Sequence, residues 1–249
     1  MNQRLKNLLL AFVVATLLEI VLVAGFNLIE QPTAKRIFQI FGGDIPGGLV
    51  QYLTFIAFFC GIFEMQNLLN IVKYERGSLK LNLLPEQEQW VLSPDDVNEL
   101  KIKMIDFEKE HKYLIVDIIK KAATKFRADK SVSDVLSVVS SQVKINYSRA
   151  ESKQSIIRYI GWAIPSLGFI GTILGIAQAL GYAYMADTPE GLANITNSMY
   201  LAFDTTLVAL LLSIVMMWIF HDLQEKEELL HTDMEEYLIE NLVNRIHLE

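Results

Sequence analysis

The chain has 249 residues, enough for one or two ordinary domains. Apolar residues make up 52% and charged residues only 20%, with a mean hydropathy of +0.30, whereas soluble domains are about 25% charged. That balance is the balance of an integral membrane protein. One cysteine, Cys60, excludes a disulfide framework and a cysteine-rich metal site, and a net charge of −7 without a basic tract excludes a nucleic-acid partner.

In chain order, the first apolar run covers 8–29. It follows Arg4 and Lys6, as a signal peptide would, but it is too long for one and lacks a small-residue cleavage site, so it reads as an uncleaved span. A connector to residue 48 leads into a second run at 49–72. Residues 73–158 are mixed in charge. Ser93-Pro94-Asp95-Asp96 has the form of a helix start, and Val97, Leu100, Met104, Phe107, Leu114, Ile118, Ala122 and Phe126 then recur at helical spacing, which predicts one amphipathic helix. A second helix is expected from Ser131 through Val135, Val139, Val143 and Ile157 into a third run at 159–184. The fourth run is 199–220, and the tail at 221–249 is an acidic stretch with helical period, from Leu223 through Leu230, Met234 and Tyr237 to Ile246.

Each run reaches the roughly 20 residues a helix needs to cross about 30 Å of hydrocarbon, where open strands would leave backbone groups unpaired. Of the 22 basic residues, only Lys35 and Arg36 fall in the 30–48 connector and none in the 185–198 connector. Positive-inside logic therefore places both termini and the 73–158 segment in the cytoplasm. The expected fold class is an all-α integral membrane protein. It has four transmembrane helices, a helical cytoplasmic domain (73–158) between spans 2 and 3, a span 3–4 hairpin (159–220), and a helical cytoplasmic tail.

The spans hold no lysine, arginine or histidine, yet they carry Glu19, Glu64 and Asp204. A charge at bilayer centre costs at least about 2.5–3.5 kcal/mol on insertion scales. Each acid must be protonated, hydrated, bound to a cation or paired with another chain. For Glu19 and Glu64 the simplest state is a protonated carboxyl bonded to a neighbouring helix. Asp204, followed directly by Thr205 and Thr206, is the candidate for ion passage or partner contact.

The third run contains Pro165, which removes a helical hydrogen bond and predicts a bend. Gly168, Gly171 and Gly175 form a small-residue stripe that lets helix backbones approach closely in lipid. At about 1.5 Å per residue, Thr172 and Thr206 lie roughly 20 and 21 Å from the cytoplasmic ends of antiparallel spans, so their hydroxyls share a level.

The strings IPSLGFIGTILG (164–175) and AFDTTLVALLLS (202–213) resemble the MotA/TolQ/ExbB proton-channel family, in its four-span members. The resemblance implies a pentameric ring in the bacterial inner membrane around two single-span partners of the ExbD/TolR/MotB type. Proton or sodium flow would then drive rotation. It assigns Thr172 and Thr206 to the pore wall and matches Pro165 to the third-span proline of flagellar-type members. Two departures stand out: the glutamate of TolQ/ExbB-type members falls on Leu201, and a second family proline falls on Val215.

The sequence thus points to the pore subunit of an ion-driven membrane motor, with ion-pathway candidates Thr172, Thr205, Thr206 and Asp204, in contact with membrane lipid. It calls for no cofactor and no metal. The alternative is a structural scaffold that recruits partners through its cytoplasmic helices. An enzyme is disfavoured: His111 lies among scattered acids without a nucleophile motif, metal spacing or phosphate loop.

Overall fold

Each of the four apolar runs falls on a long helix. A computed structural model describes residues 3–44, 47–87 and 90–247. In chain order the helices are α1 (Gln3–Leu28), α2 (Pro32–Ile40), α3 (Leu49–Ser78), α4 (Pro94–Glu110), α5 (Leu114–Asp129), α6 (Val132–Gly181) and α7 (Pro189–Asn241), with short 3-10 turns at Ala183–Met185 and Val243–Arg245. Among the described residues the only strand-like pairing is an isolated bridge between Leu92 and Ile246. Among the described residues four helices, α1, α3, α6 and α7, are long and apolar enough to cross a membrane.

Helix α6 runs 50 residues from just after Ser131 into the third apolar run, passing through Pro165 without interruption. Helix α7 runs 53 residues, so the fourth run and most of the acidic tail are one element. The 30–48 connector is not plain coil, for it holds α2, started by Pro32 at its first turn and closed at Phe41. Gly42, at φ +103°, then turns the chain back toward α3.

The single amphipathic helix expected between Ser93 and Phe126 is two. Its start is as read: Ser93 accepts from the Asp96 N–H while the Asp96 carboxylate accepts from the Ser93 N–H, a capping box that holds the Asp96 carboxyl below its usual range. The helix ends where His111 turns extended, at φ −135° and ψ 117°. Helix α5 begins after Tyr113, which supplies no side-chain cap. Instead the Leu114 N–H donates to the Glu75 carboxylate from α3 at 2.9 Å, and Tyr113 stacks on Tyr74 at 4.5 Å. Folding back lets α4 bury Val97, Leu100 and Met104 while α5 buries Ile115, Ile118, Ile119 and Phe126 in the same cluster. One straight helix would leave that apolar stripe without a facing surface.

The chain forms two compact units: Met1–Asn67 with Ser155–His221, and Leu68–Gln154 with Asp222–Glu249. The second has a conventional interior in which Met104, Ile118, Phe126, Val135, Val139 and Leu238 are fully or almost fully buried. In the first, the cluster around Ala15, Phe55 and Val208 is small, and large apolar side chains point outward, including Phe169 (64% exposed) and Trp218 (77%). On α1 the buried residues are Asn7, Ala11, Ala15 and Glu19, one per turn along a single stripe.

Candidate functional site

The candidate residues cluster where α6 and α7 run against each other. A Cβ on Gly168 would lie 2.6 Å from that of Ala209, and one on Gly175 would lie 2.6 Å from the Ala202 nitrogen. A Cβ on Gly171 would run into the Thr205 side chain. Three glycines on α6 thus fit against Ala202, Thr205 and Ala209 on α7, and any side chain there would separate the helices. Thr205 is 1% exposed; its hydroxyl reaches the Leu201 and Ala202 carbonyls at 2.9 and 3.1 Å, which satisfies it within its own helix.

Close approach at the glycines places Thr172 and Thr206 in direct contact, with their hydroxyl oxygens hydrogen-bonded to each other. The Thr172 hydroxyl also reaches the carbonyls of Ala202 (3.1 Å) and Gly168 (3.3 Å). Thr206 reaches those two carbonyls at 3.3 and 3.0 Å. Four oxygens therefore share two hydroxyl hydrogens. Whichever way the hydroxyls rotate, lone pairs remain to accept a further donor or a cation.

Asp204 does not join this cluster. On a helix of 3.6 residues per turn, two residues are about 200° apart, so Thr206 and Asp204 face different neighbours. Asp204 is 5% exposed, and both its oxygens accept from Arg36 of α2, at 2.7 Å each. The Arg36 guanidinium also donates to Gln39 at 3.0 Å and lies over the Tyr200 ring, 4.1 Å from its centre. The spans themselves hold no basic group, and the partner of Asp204 comes from the 30–48 connector of the same chain rather than from another chain. The available signal was position: Arg36 is one of only two cations in that connector, and Asp204 lies about 8 Å into the fourth apolar run from the same end.

Glu19 is almost fully buried, with one carboxyl oxygen lacking a hydrogen-bond partner, and Glu64 is buried on α3. Leu201 and Val215, the two departures from the family pattern, lie on α7. Among the described residues no group of three or more His, Cys, Asp or Glu side chains is placed to hold a metal ion.

A family model described as the MotA/TolQ/ExbB proton channel family matches residues 110–236, from the end of α4 through most of α7. The chain belongs to that family. The match takes in the whole α6–α7 seam, and with the four long apolar helices it marks a multi-pass membrane protein of a channel family rather than an enzyme family. No curated protein and no solved structure matches the chain at a significant level.

Proposed function

We infer that this chain is the pore-forming ring subunit of an ion-driven membrane motor. In this reading five copies surround two single-span helices of the ExbD/TolR/MotB type in the bacterial inner membrane. Both termini and the 73–158 segment lie in the cytoplasm, as the distribution of lysine and arginine favours. Flow of protons or sodium ions is converted into mechanical work or energised transport across the envelope.

The observation that carries the reading is the oxygen cluster of Thr172, Thr206 and the Gly168 and Ala202 carbonyls, with four acceptors and two hydrogens. Hydroxyls held at one level on two helices that touch through glycine form a rigid polar wall in an otherwise apolar seam. Such a wall can pass a hydrated ion along a neighbouring helix without carrying a charge of its own.

The test is ion flux into vesicles holding the chain together with its single-span partner. Thr206→Val and Thr172→Val keep the shape and remove the hydroxyl, and each is expected to abolish flux while the assembly retains five ring subunits and two partners by native mass spectrometry. Full flux in both variants overturns the pore assignment. The scaffold alternative draws on the same glycine packing, and it predicts that both valine variants are tolerated while truncation after His221 is not.

A further inference from the structure

The end of the first unit that holds α2 contains two adjoining cavities. The larger, about 230 Å³, is lined by Asp44, Gln178, Tyr182, Asn194, Asn197 and Ser198. The smaller, about 30 Å³, is lined by Gln39, Asp44, Gln51, Asn197, Leu201 and Asp204. They share Asp44, Gly47, Asn197 and Leu201. The smaller one has room for one or two occupants the size of water.

Its wall is rich in oxygen and short of positive charge. Two carboxylates face it, Asp44 and Asp204, against one guanidinium, Arg36, which is committed to Asp204 through both of its terminal nitrogens. Among the described residues the Asp44 carboxylate accepts one hydrogen bond, from the Gln39 amide at 3.3 Å. Lys35, the other cation of α2, lies over the Phe26 ring, 4.7 Å from its centre. One negative charge is left without a counter-charge.

Gln51 adds an independent sign. It is 2% exposed, and its amide nitrogen donates to the Ile40 carbonyl at 3.4 Å, which settles the orientation of the amide. The opposite end, Oε1, is buried and receives no hydrogen bond. An unpaired buried acceptor is costly, and here it belongs to a side chain lining a cavity that already carries an excess of negative charge.

We propose that Asp204, Asp44 and the Gln51 amide oxygen form a binding site for a small monovalent cation, and that Arg36 is a tethered cation that occupies its Asp204 arm. Oxygen-only ligands select a hard ion, and one surplus carboxylate suits a single charge. The larger cavity gives a hydrated ion a polar approach. The role of the site as the point where ions join the α6–α7 path rests on the channel reading; the binding itself does not.

The test uses the full chain in detergent, without a partner and without flux, so it can fail while the threonine experiment succeeds, and the reverse. Thermal unfolding of Arg36→Gln is compared in sodium chloride, choline chloride and calcium chloride at equal ionic strength, at pH 5 and pH 8. Freeing the Asp204 arm should make a mobile cation stabilising. The midpoint is expected to rise by several degrees in sodium over choline, which identifies sodium, or at pH 5 over pH 8 in choline, which identifies the proton. The sodium response should vanish in Arg36→Gln/Asp44→Asn, and the proton response in Arg36→Gln/Asp204→Asn, which removes the buried carboxylate that would take up the proton. Equal midpoints under all conditions, a response to calcium alone, a sodium response that survives Asp44→Asn, or a proton response that survives Asp204→Asn overturns the proposal. Should Arg36→Gln fail to fold, Arg36→Lys keeps the charge without the two-pronged grip and is expected to show the same dependence at smaller amplitude, under the same criteria.

Discussion

The two units of this chain solve the same problem with opposite materials. The unit built around α4 and α5 hides its large side chains, with Phe126, Met104 and Ile118 out of contact with solvent, as a body surrounded by water must. The unit built from α1, α3 and the apolar halves of α6 and α7 turns Phe169, Ile214 and Trp218 outward, and beside Phe55, Ile164 and Met216 its interior holds alanine, glycine and polar side chains. Where the surroundings are as apolar as leucine, burying leucine gains nothing. Cohesion then falls to close backbone contact and to paired polar groups. On the channel reading proposed above, one sequence is written for two solvents, with the change made inside single helices, since α6 and α7 each contribute to both units.

The comparison can be broken by treating the two units alike. Phe126→Ala in the second unit should cost about 3–5 kcal/mol, read as a lower thermal midpoint and faster proteolysis between residues 68 and 154. An outward aromatic of the first unit such as Phe169 should tolerate the same change with little loss. Equal losses at both sites would mean that the outward apolar face is buried after all.

Next in size is the Arg36–Asp204 pair. With Asp204 buried and Arg36 about a third exposed, Arg36→Gln in a medium lacking small cations should cost roughly 3 kcal/mol, because it leaves a buried carboxylate alone. The Arg36→Gln/Asp204→Asn double variant should recover most of that. A cycle of the four proteins by thermal unfolding measures it, and additive losses would mean that the pair holds no coupling.

Glycines sharpen the contrast at smaller scale. Gly171→Ala forces α6 away from Thr205 and should destabilise the bundle by about 1–3 kcal/mol, as overpacking does. Gly77→Ala, on α3 with nothing within 4 Å of the new methyl, should stabilise the chain by about 0.5–1 kcal/mol through backbone entropy. Midpoint shifts of opposite sign are the expected result, and shifts of one sign would refute the packing argument.

The smallest effect lies in the α4 capping box. The folded Asp96 carboxyl titrates below its usual value of 3.8, so its contribution is present above that pH and is lost as the pH falls through the lower folded value. Protection factors of the amides in the first turn of α4, taken against the intrinsic exchange rate at each pH, should fall on acidification from pH 5 to below 3.8. In Asp96→Asn the same amides should have lower protection factors at pH 5, and those factors should change less with pH.

Much of this protein was legible because the governing signals are local. Run length and polarity located all four long apolar helices, and the Ser93-Pro94-Asp95-Asp96 string located the start of α4, since capping is completed within one turn. The spacing of Gly168, Gly171 and Gly175, and the matching depths of Thr172 and Thr206, depend only on helical rise and are set by counting residues. What counting could not supply was rotation and reach. The break at His111 exists because α5 finds its cap on Glu75, 39 residues away, and because two apolar stripes bury each other. Asp204 faces away from the threonine pair and into Arg36, 168 residues distant, because packing alone decides which side of α7 meets which neighbour. The sequence by itself determined which segments are apolar and where hydroxyls and glycines align. Only the tertiary structure decided which buried polar groups are paired, because a partner drawn from another element leaves no periodic trace along the chain.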